Sequence, residues 1–231
     1  MNGAPRGVDV SSWQHPGGAE VDWDAVRADG YTFALIKVTQ GVTYVSQWGL
    51  RDLSDARAAG LLVGAYHYYE ATNDAAAQAA HFLTTLVGEH LDLGAWLDWE
   101  CFAPEQYTHA MVLQAWFETV DKARPGCGIY VDGSWLEALK GSDVLKRRIW
   151  LAGDEAYTDT RPFIMQASTP AHVSGITGPV DTDVLVSRRG VDLPTAPRVR
   201  PTPATVHPPA REPEPEAEAA EVAPEANAGE D

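Results

Sequence analysis

Two carboxylates stand two residues apart in the segment Ala95-Trp96-Leu97-Asp98-Trp99-Glu100. Side chains alternate along a β-strand, so Asp98 and Glu100 share one face, with backbones about 6.6 Å apart at roughly 3.3 Å per residue. Beside the apolar Trp96, the two carboxyl groups are not both stable as anions, and the more enclosed one should hold a proton near neutral pH. A protonated acid beside an anion is the arrangement that cleaves glycosidic bonds. A solvated acidic strand end is the alternative interpretation.

Other polar residues fall at the ends of other predicted strands. In a parallel barrel the carboxyl ends of the strands meet on one rim, and that rim carries the chemistry. Each residue alone is also explained by a strand that simply reaches solvent. Four carboxylates from three different strands are harder to explain in this way, so we predict a catalytic group of Asp9, Asp98, Glu100 and Asp181.

Aromatic residues on or after these strand ends indicate a class of ligand. They are Trp13, Tyr44, Tyr66, Tyr68, Trp96 and Tyr130. Flat side chains that line a carboxylate-bearing groove suit sugar rings, whose faces are apolar and whose edges are polar. The eight tryptophans equally suit a well-filled core. The residues predicted to contact the substrate are Lys37, Tyr66, Tyr68, Trp96, Tyr130 and Gln166.

A metal site is the competing explanation for a group of carboxylates. The sequence has no Asp-rich loop of the kind that binds hard cations, and its seven histidines form no H-x-x-x-H pair. Gly17 and Gly18 are not followed by the lysine of a phosphate-binding loop. We therefore expect no metal and no cofactor.

The order of the predicted elements indicates an α/β fold. Strands that alternate with helices imply a mainly parallel sheet, and eight of them at this length suggest a compact barrel with few helices in its last third. The predicted strands cover residues 7–10, 32–38, 61–68, 94–100, 128–132, 148–151, 163–166 and 180–184. The predicted helices cover residues 22–29, 48–59, 74–87, 110–122 and 134–140.

The composition excludes several classes of protein. The chain has 231 residues and a formal net charge of −16, which disfavours binding to nucleic acids and to anionic membranes. Two cysteines, Cys101 and Cys127, are too few for a disulfide-built fold. No run approaches the about 18 apolar residues of a membrane span, and no secretory signal is visible. We expect a monomer without nucleic-acid or membrane partners.

The composition changes sharply at Pro194. Residues 194–231 hold nine of the sixteen prolines and no aromatic residue. Such a segment cannot offset the entropy of ordering by burial. The prediction is one folded domain at residues 5–193, followed by a disordered acidic tail rich in Pro, Glu and Ala at residues 194–231.

Several motifs, in order, resemble those of the glycoside hydrolase family 25 lysozymes, the N-acetylmuramidases. They are Gly7-Val8-Asp9-Val10-Ser11-Ser12-Trp13-Gln14, Phe33-Ala34-Leu35-Ile36-Lys37-Val38-Thr39-Gln40-Gly41, Ala59-Gly60-Leu61, Gly64-Ala65-Tyr66-His67-Tyr68, Asp98-Trp99-Glu100 and Val180-Asp181. The similarity covers about residues 7–187. It implies an irregular TIM-like (β/α)5(β)3 barrel and cleavage of the β-1,4 bond between N-acetylmuramic acid and N-acetylglucosamine in peptidoglycan.

The resemblance also implies roles for single residues. Glu100 corresponds to the general acid, Asp98 to its partner, and Asp9 and Asp181 to flanking carboxylates. Gln40 departs from the family, which usually has Glu there. The absent leader suggests a phage endolysin that stays in the host cytoplasm until it is released to the cell wall, although a leaderless bacterial enzyme would look the same. An inactive wall-binding protein and a metal-dependent polysaccharide deacetylase are the alternatives.

Overall fold

The computed structural model describes residues 4–71, 74–100, 106–153 and 163–186. These residues form ten strands and five α-helices. The strands are β1 (Arg6–Val10), β2 (Phe33–Gln40), β3 (Tyr44–Val45), β4 (Leu62–Tyr68), β5 (Gly94–Asp98), β6 (Gly128–Val131), β7 (Ile149–Ala152), β8 (Ile164–Gln166), β9 (Ala171–His172) and β10 (Pro179–Leu185). The helices are α1 (Trp23–Ala28), α2 (Gly49–Ala58), α3 (Ala75–Thr85), α4 (Gln106–Ala123) and α5 (Gly133–Ala138).

Eight of the strands close into a barrel. Their order is β1-β10-β8-β7-β6-β5-β4-β2, and β2 pairs with β1 to complete the ring. Every pair of neighbouring barrel strands that does not include β10 is parallel. Strand β10 is antiparallel to both of its neighbours, β1 and β8. Five strand–helix units precede the last three barrel strands, so the predicted α/β barrel of the (β/α)5(β)3 type is confirmed.

Local sequence signals explain where the helices start and stop. The aspartates Asp22, Asp74 and Asp132 precede α1, α3 and α5, and each side chain accepts a backbone N–H of the first turn at 2.8–3.0 Å. Such caps satisfy amide groups that have no partner inside the helix. Gly30 and Gly60 follow α1 and α2 with φ of 95° and 89°, a conformation that favours glycine at helix ends.

Apolar side chains form two cores, one on each face of the closed sheet. The outer core lies between the strands and the helices and includes Val8, Ile36, Leu97 and Trp116. The inner core fills the barrel with Phe33, Leu35, Leu62, Tyr66, Leu93, Trp96, Tyr130, Trp150, Phe163, Ile164 and Leu185. The bulky inner layer closes the barrel from within, so the polar strand ends sit above a packed floor.

The structure adds details that the sequence pattern did not predict. Strand β5 ends at Asp98, although the backbone N–H of Trp99 still donates to the carbonyl of Tyr130 at 3.1 Å. Helix α4 begins at Gln106 rather than at residue 110. The two-residue strands β3 and β9 were missed because so short a pairing leaves no alternation in the sequence.

Several sequence-based expectations concern residues outside the described ranges. These are Cys101, the domain boundary at residues 193–194 and the whole tail at residues 194–231. The other cysteine, Cys127, is a buried free thiol directly before β6. Among the described residues, no helix combines the length and the apolar character needed to cross a membrane.

Candidate active site

A pocket of about 320 Å³ opens at the rim where the parallel strands end. It contains all four predicted carboxylates and five of the six residues predicted to contact the substrate. Its walls are formed by Asp9, Ser11, Trp13, Gln14, Lys37, Tyr66, Tyr68, Asp98, Glu100, Tyr130, Trp150, Gln166 and Asp181. The barrel therefore brings together side chains that are far apart in the sequence.

Strand direction explains how Asp9 and Asp181 meet. Asp9 lies opposite Asp181 in the antiparallel pair of β1 and β10. Because β10 runs against its neighbours, Asp181 stands near the amino-terminal end of its strand, and yet it reaches the same rim. The rule that functional residues lie at carboxyl ends of strands holds for Asp9 and Asp98 but not for Asp181.

Asp98, at the end of β5, is the enclosed member of the carboxyl pair. Its side chain ends the strand, the residue is 7% exposed, and no N–H or O–H group of the described residues donates to its buried Oδ1. Burial raises the pKa of Asp98 well above the ordinary value of 3.8, the negative charge of Glu100 raises it further, and the charge of Lys37 lowers it. Asp98 therefore favours its protonated form.

Glu100 is the accessible member of the pair. The residue lies two positions beyond Asp98 and is exposed at the rim. Partial desolvation raises the pKa of Glu100, a side-chain hydrogen bond with Asp98 lowers it, and the charge of Asp132 raises it. A hydrogen bond between two carboxyl groups requires a proton between them. The pair is thus suited to hold a proton and to present it to a ligand.

The Asp9 carboxyl is held by an amide on the opposite side of the pocket. Gln166 Nε2 donates to Asp9 Oδ2 at 3.0 Å, and the hydroxyl of Tyr130 donates to Gln166 Oε1 at 2.8 Å. Burial raises the pKa of Asp9 to about 7; the hydrogen bond from Gln166 opposes this rise, and the charge of Asp181 adds to it. The chain from Tyr130 through Gln166 fixes the orientation of Asp9.

Lys37 is the cation among the residues that line the pocket. Its ammonium group donates to Gln40 Oε1 at 2.7 Å and lies 4.9 Å from the centre of the Tyr68 ring. Gln40 Nε2 in turn donates to Glu70 Oε1 at 3.0 Å. An amide at this position accepts from the lysine and donates to the glutamate at once, whereas a second carboxylate would repel Glu70. This explains the departure from the family at Gln40.

The pocket is strongly acidic. Four of its lining residues are carboxylates, against the single charge of Lys37. Within the described ranges, no group of three or more His, Cys, Asp or Glu side chains is arranged to hold a metal ion. The raised pKa values of Asp9, Asp98 and Glu100 indicate that bound protons relieve part of the repulsion between the carboxylates.

The position of Trp96 corrects the prediction that it contacts the substrate. The residue is fully buried, and its indole N–H donates to the carbonyl of Leu93 at 3.1 Å. Its ring packs against Trp150 and Phe163 inside the barrel. Trp96 does share the inward face with Asp98, but it lies two residues deeper along β5, so it forms part of the floor rather than the wall.

The sequence analysis missed several residues of the site. Ser11, Gln14 and Trp150 line the pocket, and Trp13, noted only as an aromatic near a strand end, is 69% exposed at its edge. A buried carboxyl, Asp183, lies outside the lining, and the charge of Asp9 raises its pKa. The sequence could have indicated Asp183, because it stands two residues after Asp181 and therefore lies on the same face of the strand.

An α/β barrel with a pocket of unequal carboxyl groups at its rim is the arrangement of a glycoside hydrolase. Residues 8–172 match the sequence profile of "Glycosyl hydrolases family 25", and the chain belongs to this family.

Individual relatives agree with this assignment. The chain is 29% identical over 186 residues to "Autolytic lysozyme" of Clostridium acetobutylicum, covering 77% of this chain but only 55% of that protein. It is 29% identical over 197 residues to "Lysozyme M1" of Streptomyces globisporus, covering 76% of this chain and 66% of that protein. The solved structure of the bacterial lysozyme from Streptomyces coelicolor has the same fold, with a TM-score of 0.70 at 24% identity over 81% of this chain and 94% of that one.

Proposed function

We propose that the protein is a muramidase that hydrolyses the β-1,4 bond between N-acetylmuramic acid and N-acetylglucosamine in bacterial peptidoglycan. Family membership supports the reaction class, and relatives that bear the name lysozyme support the substrate. The observation that carries the proposal is the pair of Asp98 and Glu100, which line the same aromatic pocket, differ in exposure and both have a pKa raised by burial.

Glu100 acts as the general acid in this proposal. Its exposed position lets the carboxyl group reach the oxygen of the leaving sugar, and a bound substrate removes further water and raises its pKa. Asp98 lies deeper, with an oxygen that no described donor contacts, and is placed to accept a hydrogen bond from the substrate or from a water molecule. Asp9 and Asp181 flank the reacting sugar from the opposite wall.

Two routes for the displacement remain compatible with this site. In one, the 2-acetamido group of the substrate attacks the anomeric carbon while Asp98 orients it, which retains the β configuration. In the other, Asp98 helps to place a water molecule on the far face of the sugar, which inverts the configuration. NMR of the first product anomer decides between them.

The cell wall is the proposed place of action. We propose that the enzyme works as a monomer on glycan strands and serves bacterial lysis as a phage endolysin. An autolysin of the producing cell is the second candidate, favoured by the relative named autolytic lysozyme. Plaque release by a phage that lacks the gene for this protein, compared with complemented phage, tests the endolysin role.

The Glu100→Gln variant tests the catalytic assignment. Because the amide has nearly the same shape but no proton to donate, we expect solubilisation of purified peptidoglycan to fall by about 10²–10⁴-fold. The control is Glu137→Gln, which changes an exposed glutamate on α5 and should retain full activity. A folded Glu100→Gln protein with wild-type turnover contradicts the assignment.

Product analysis in the same assay separates the alternatives. A muramidase releases new reducing ends at muramic acid and is insensitive to a chelator. A metal-dependent deacetylase releases acetate and stops when a chelator is added. A wall-binding protein without activity sediments with peptidoglycan and releases neither product.

A further inference from the structure

A buried carboxyl group lies behind the catalytic pocket. Asp183 on β10 is 1% exposed and does not line the pocket. The indole N–H of Trp150 donates to Asp183 Oδ1 at 2.8 Å. No N–H or O–H group of the described residues donates to the second oxygen, Oδ2, although this atom is buried. A buried carboxylate oxygen that accepts no hydrogen bond destabilises the folded protein, so Asp183 favours its protonated form.

The carboxyl group of Asp9 is the neighbour that can accept a hydrogen bond from a protonated Asp183. Asp183 lies opposite Gly7 in the pair of β1 and β10, so its side chain is on the same face as Asp9, two residues along β1. Both carboxyl groups affect the pKa of the other as hydrogen-bond partners, and such a bond cannot form between two anions. The amide of Gln166 already donates to Asp9 Oδ2, so Asp9 is held between an amide donor and a carboxyl partner. This geometry resembles other pairs of carboxyl groups that share one proton because two like charges in contact are not both stable.

We propose that Asp183 and Asp9 form a dyad that retains one proton, and that Asp183 is the positioning residue which sets the charge and orientation of Asp9 in the pocket. Asp183 itself does not touch the substrate. With the proton on Asp183, Asp9 presents an anionic carboxyl whose two oxygens are both fixed, one by Gln166 and the other by Asp183. The role of this dyad in catalysis rests on the proposed function, whereas the existence of the dyad does not.

The charged surroundings favour retention of the proton. Asp181 on β10 acts on both members of the dyad, and Glu100, beyond β5, acts on Asp9. Asp98 on β5 is a further carboxyl that interacts with Asp9. The cation Lys37 on β2 acts on Asp98 and Glu100, while Asp183 is influenced by burial, by the two other aspartates and by the neutral indole of Trp150. Burial and these negative charges raise the pKa of Asp183 well above its ordinary value.

Two variants of Asp183 separate the dyad from a structural role. Asp183→Leu removes the O–H that donates to Asp9, so the pKa of Asp9 should rise, and the limb of the pH–activity profile that reports Asp9 should move to higher pH by about one unit or more. Asp183→Asn keeps an oxygen that accepts the Trp150 N–H and an NH₂ group that donates to Asp9, so it should restore the wild-type position of this limb. A residue that only supports the fold would change the rate at every pH without moving this limb.

Asp143→Asn is the matched control. It also removes one carboxylate, but from an exposed turn at Asp143–Lys146, and should leave the profile unchanged. A folded Asp183→Leu protein whose profile coincides with that of the wild type overturns the proposal, as does an Asp183→Asn protein whose limb moves as far as that of Asp183→Leu.

Carbon-13 NMR of aspartate carboxyl carbons in the wild-type protein provides a test that needs neither a variant nor activity. Asp9 and Asp183 should titrate together, with one proton released near pH 7. Independent titration of both groups at ordinary values overturns the dyad. Joint titration in a protein whose Glu100→Gln variant remains active would instead contradict the proposed catalytic role and leave the dyad standing.

Discussion

Lys37 shows how one charge tunes a group of acids. Its ammonium group is held by Gln40, which is held in turn by Glu70, so the cation has a defined place at the wall of the pocket. From there it lowers the pKa of Asp98 and Glu100 against the rise caused by burial. The protonation state of the pair is therefore a balance between desolvation and a single fixed lysine.

The Lys37→Met variant tests this balance. Methionine keeps an unbranched apolar side chain but removes the charge, so the pKa values of Asp98 and Glu100 should both rise. The pH–activity profile for peptidoglycan solubilisation should then move to higher pH by about one unit, the usual effect of an opposite charge at close range. Lys146→Met, in an exposed ion pair, serves as the control. A profile that stays in place or moves to lower pH contradicts the role of Lys37.

Single residues were predictable as far as strand alternation determines them. The two-residue spacing of Asp98 and Glu100 predicted that both side chains face the same way, and both line the pocket, although β5 ends at Asp98. The same reasoning applied to Asp183 would have placed it on the face of Asp181. The depth of Trp96 was not predictable, because alternation tells which face a side chain occupies but not how far down the barrel it lies. That depth depends on the stagger between neighbouring strands.

The strands themselves were visible as short apolar runs, and the five helices between them as amphipathic segments. The direction of β10 was not predicted, although the sequence held one indication of it. A parallel neighbour requires a crossover that is usually a helix, and no helix was predicted between the last two strands. In the structure this stretch contains β9, which pairs antiparallel with β10. Because β10 is antiparallel to its neighbours, the amino-terminal end of the strand, with Asp181, lies at the rim that holds the pocket.

The loop after β1 is another element-level feature of the site. It carries Trp13 and Gln14 to the edge of the pocket and is fastened to α2 by His15. His15 Nε2 lies 2.9 Å from Asp52 Oδ2, and the indole of Trp23 donates to Asp52 Oδ1 at 3.1 Å. Asp52 is thus a buried hub that joins the loop, α1 and α2.

Asp52→Ala should destabilise the protein. Removal of the carboxyl group leaves the buried Trp23 N–H and His15 Nε2 without their hydrogen-bond partner, at a cost of about 1–3 kcal/mol for each group in the free energy of unfolding. Urea denaturation measures the loss. Asp55→Ala on the same helix is the control, because its exposed ion pair with Arg51 contributes about 0–1 kcal/mol. Equal stability of the two variants would show that the hydrogen bonds of Asp52 with His15 and Trp23 do not stabilise the fold.

At the scale of the whole molecule, the buried acids make stability depend on pH in an unusual direction. The pKa of Asp9 rises from 3.8 to about 7 in the folded state, and those of Asp98 and Asp183 shift the same way. Above pH 3.8 the unfolded chain therefore releases protons that the folded chain keeps, so stability is lost as pH rises through the folded pKa values. Burial of His67 lowers its pKa from 6.5 to about 4, and this opposes the trend only below pH 6.5.

We therefore expect the melting temperature to fall between pH 6.5 and about pH 8. Asp98→Asn removes one buried acid and should raise the melting temperature near the upper end of this range, by about 2–4 °C for each kcal/mol gained, while activity is lost. Asp143→Asn should not change the curve. Calorimetry that finds a constant or rising melting temperature over this range contradicts the expectation.

The barrel is closed by β10, its last strand in the sequence, so the pocket is complete only after this strand has been synthesised. Arg6 is paired opposite Val184, and the pocket needs both Asp9 and Asp181. During synthesis, a chain that stops before β10 has two open strand edges, at β1 and β8, and lacks Asp181, one of the four carboxylates that line the pocket. The open edges make such a nascent chain prone to pair with another copy of itself. A separate peptide with the sequence of β10 would fill the gap, which makes this strand the natural place to divide the enzyme into two complementing fragments.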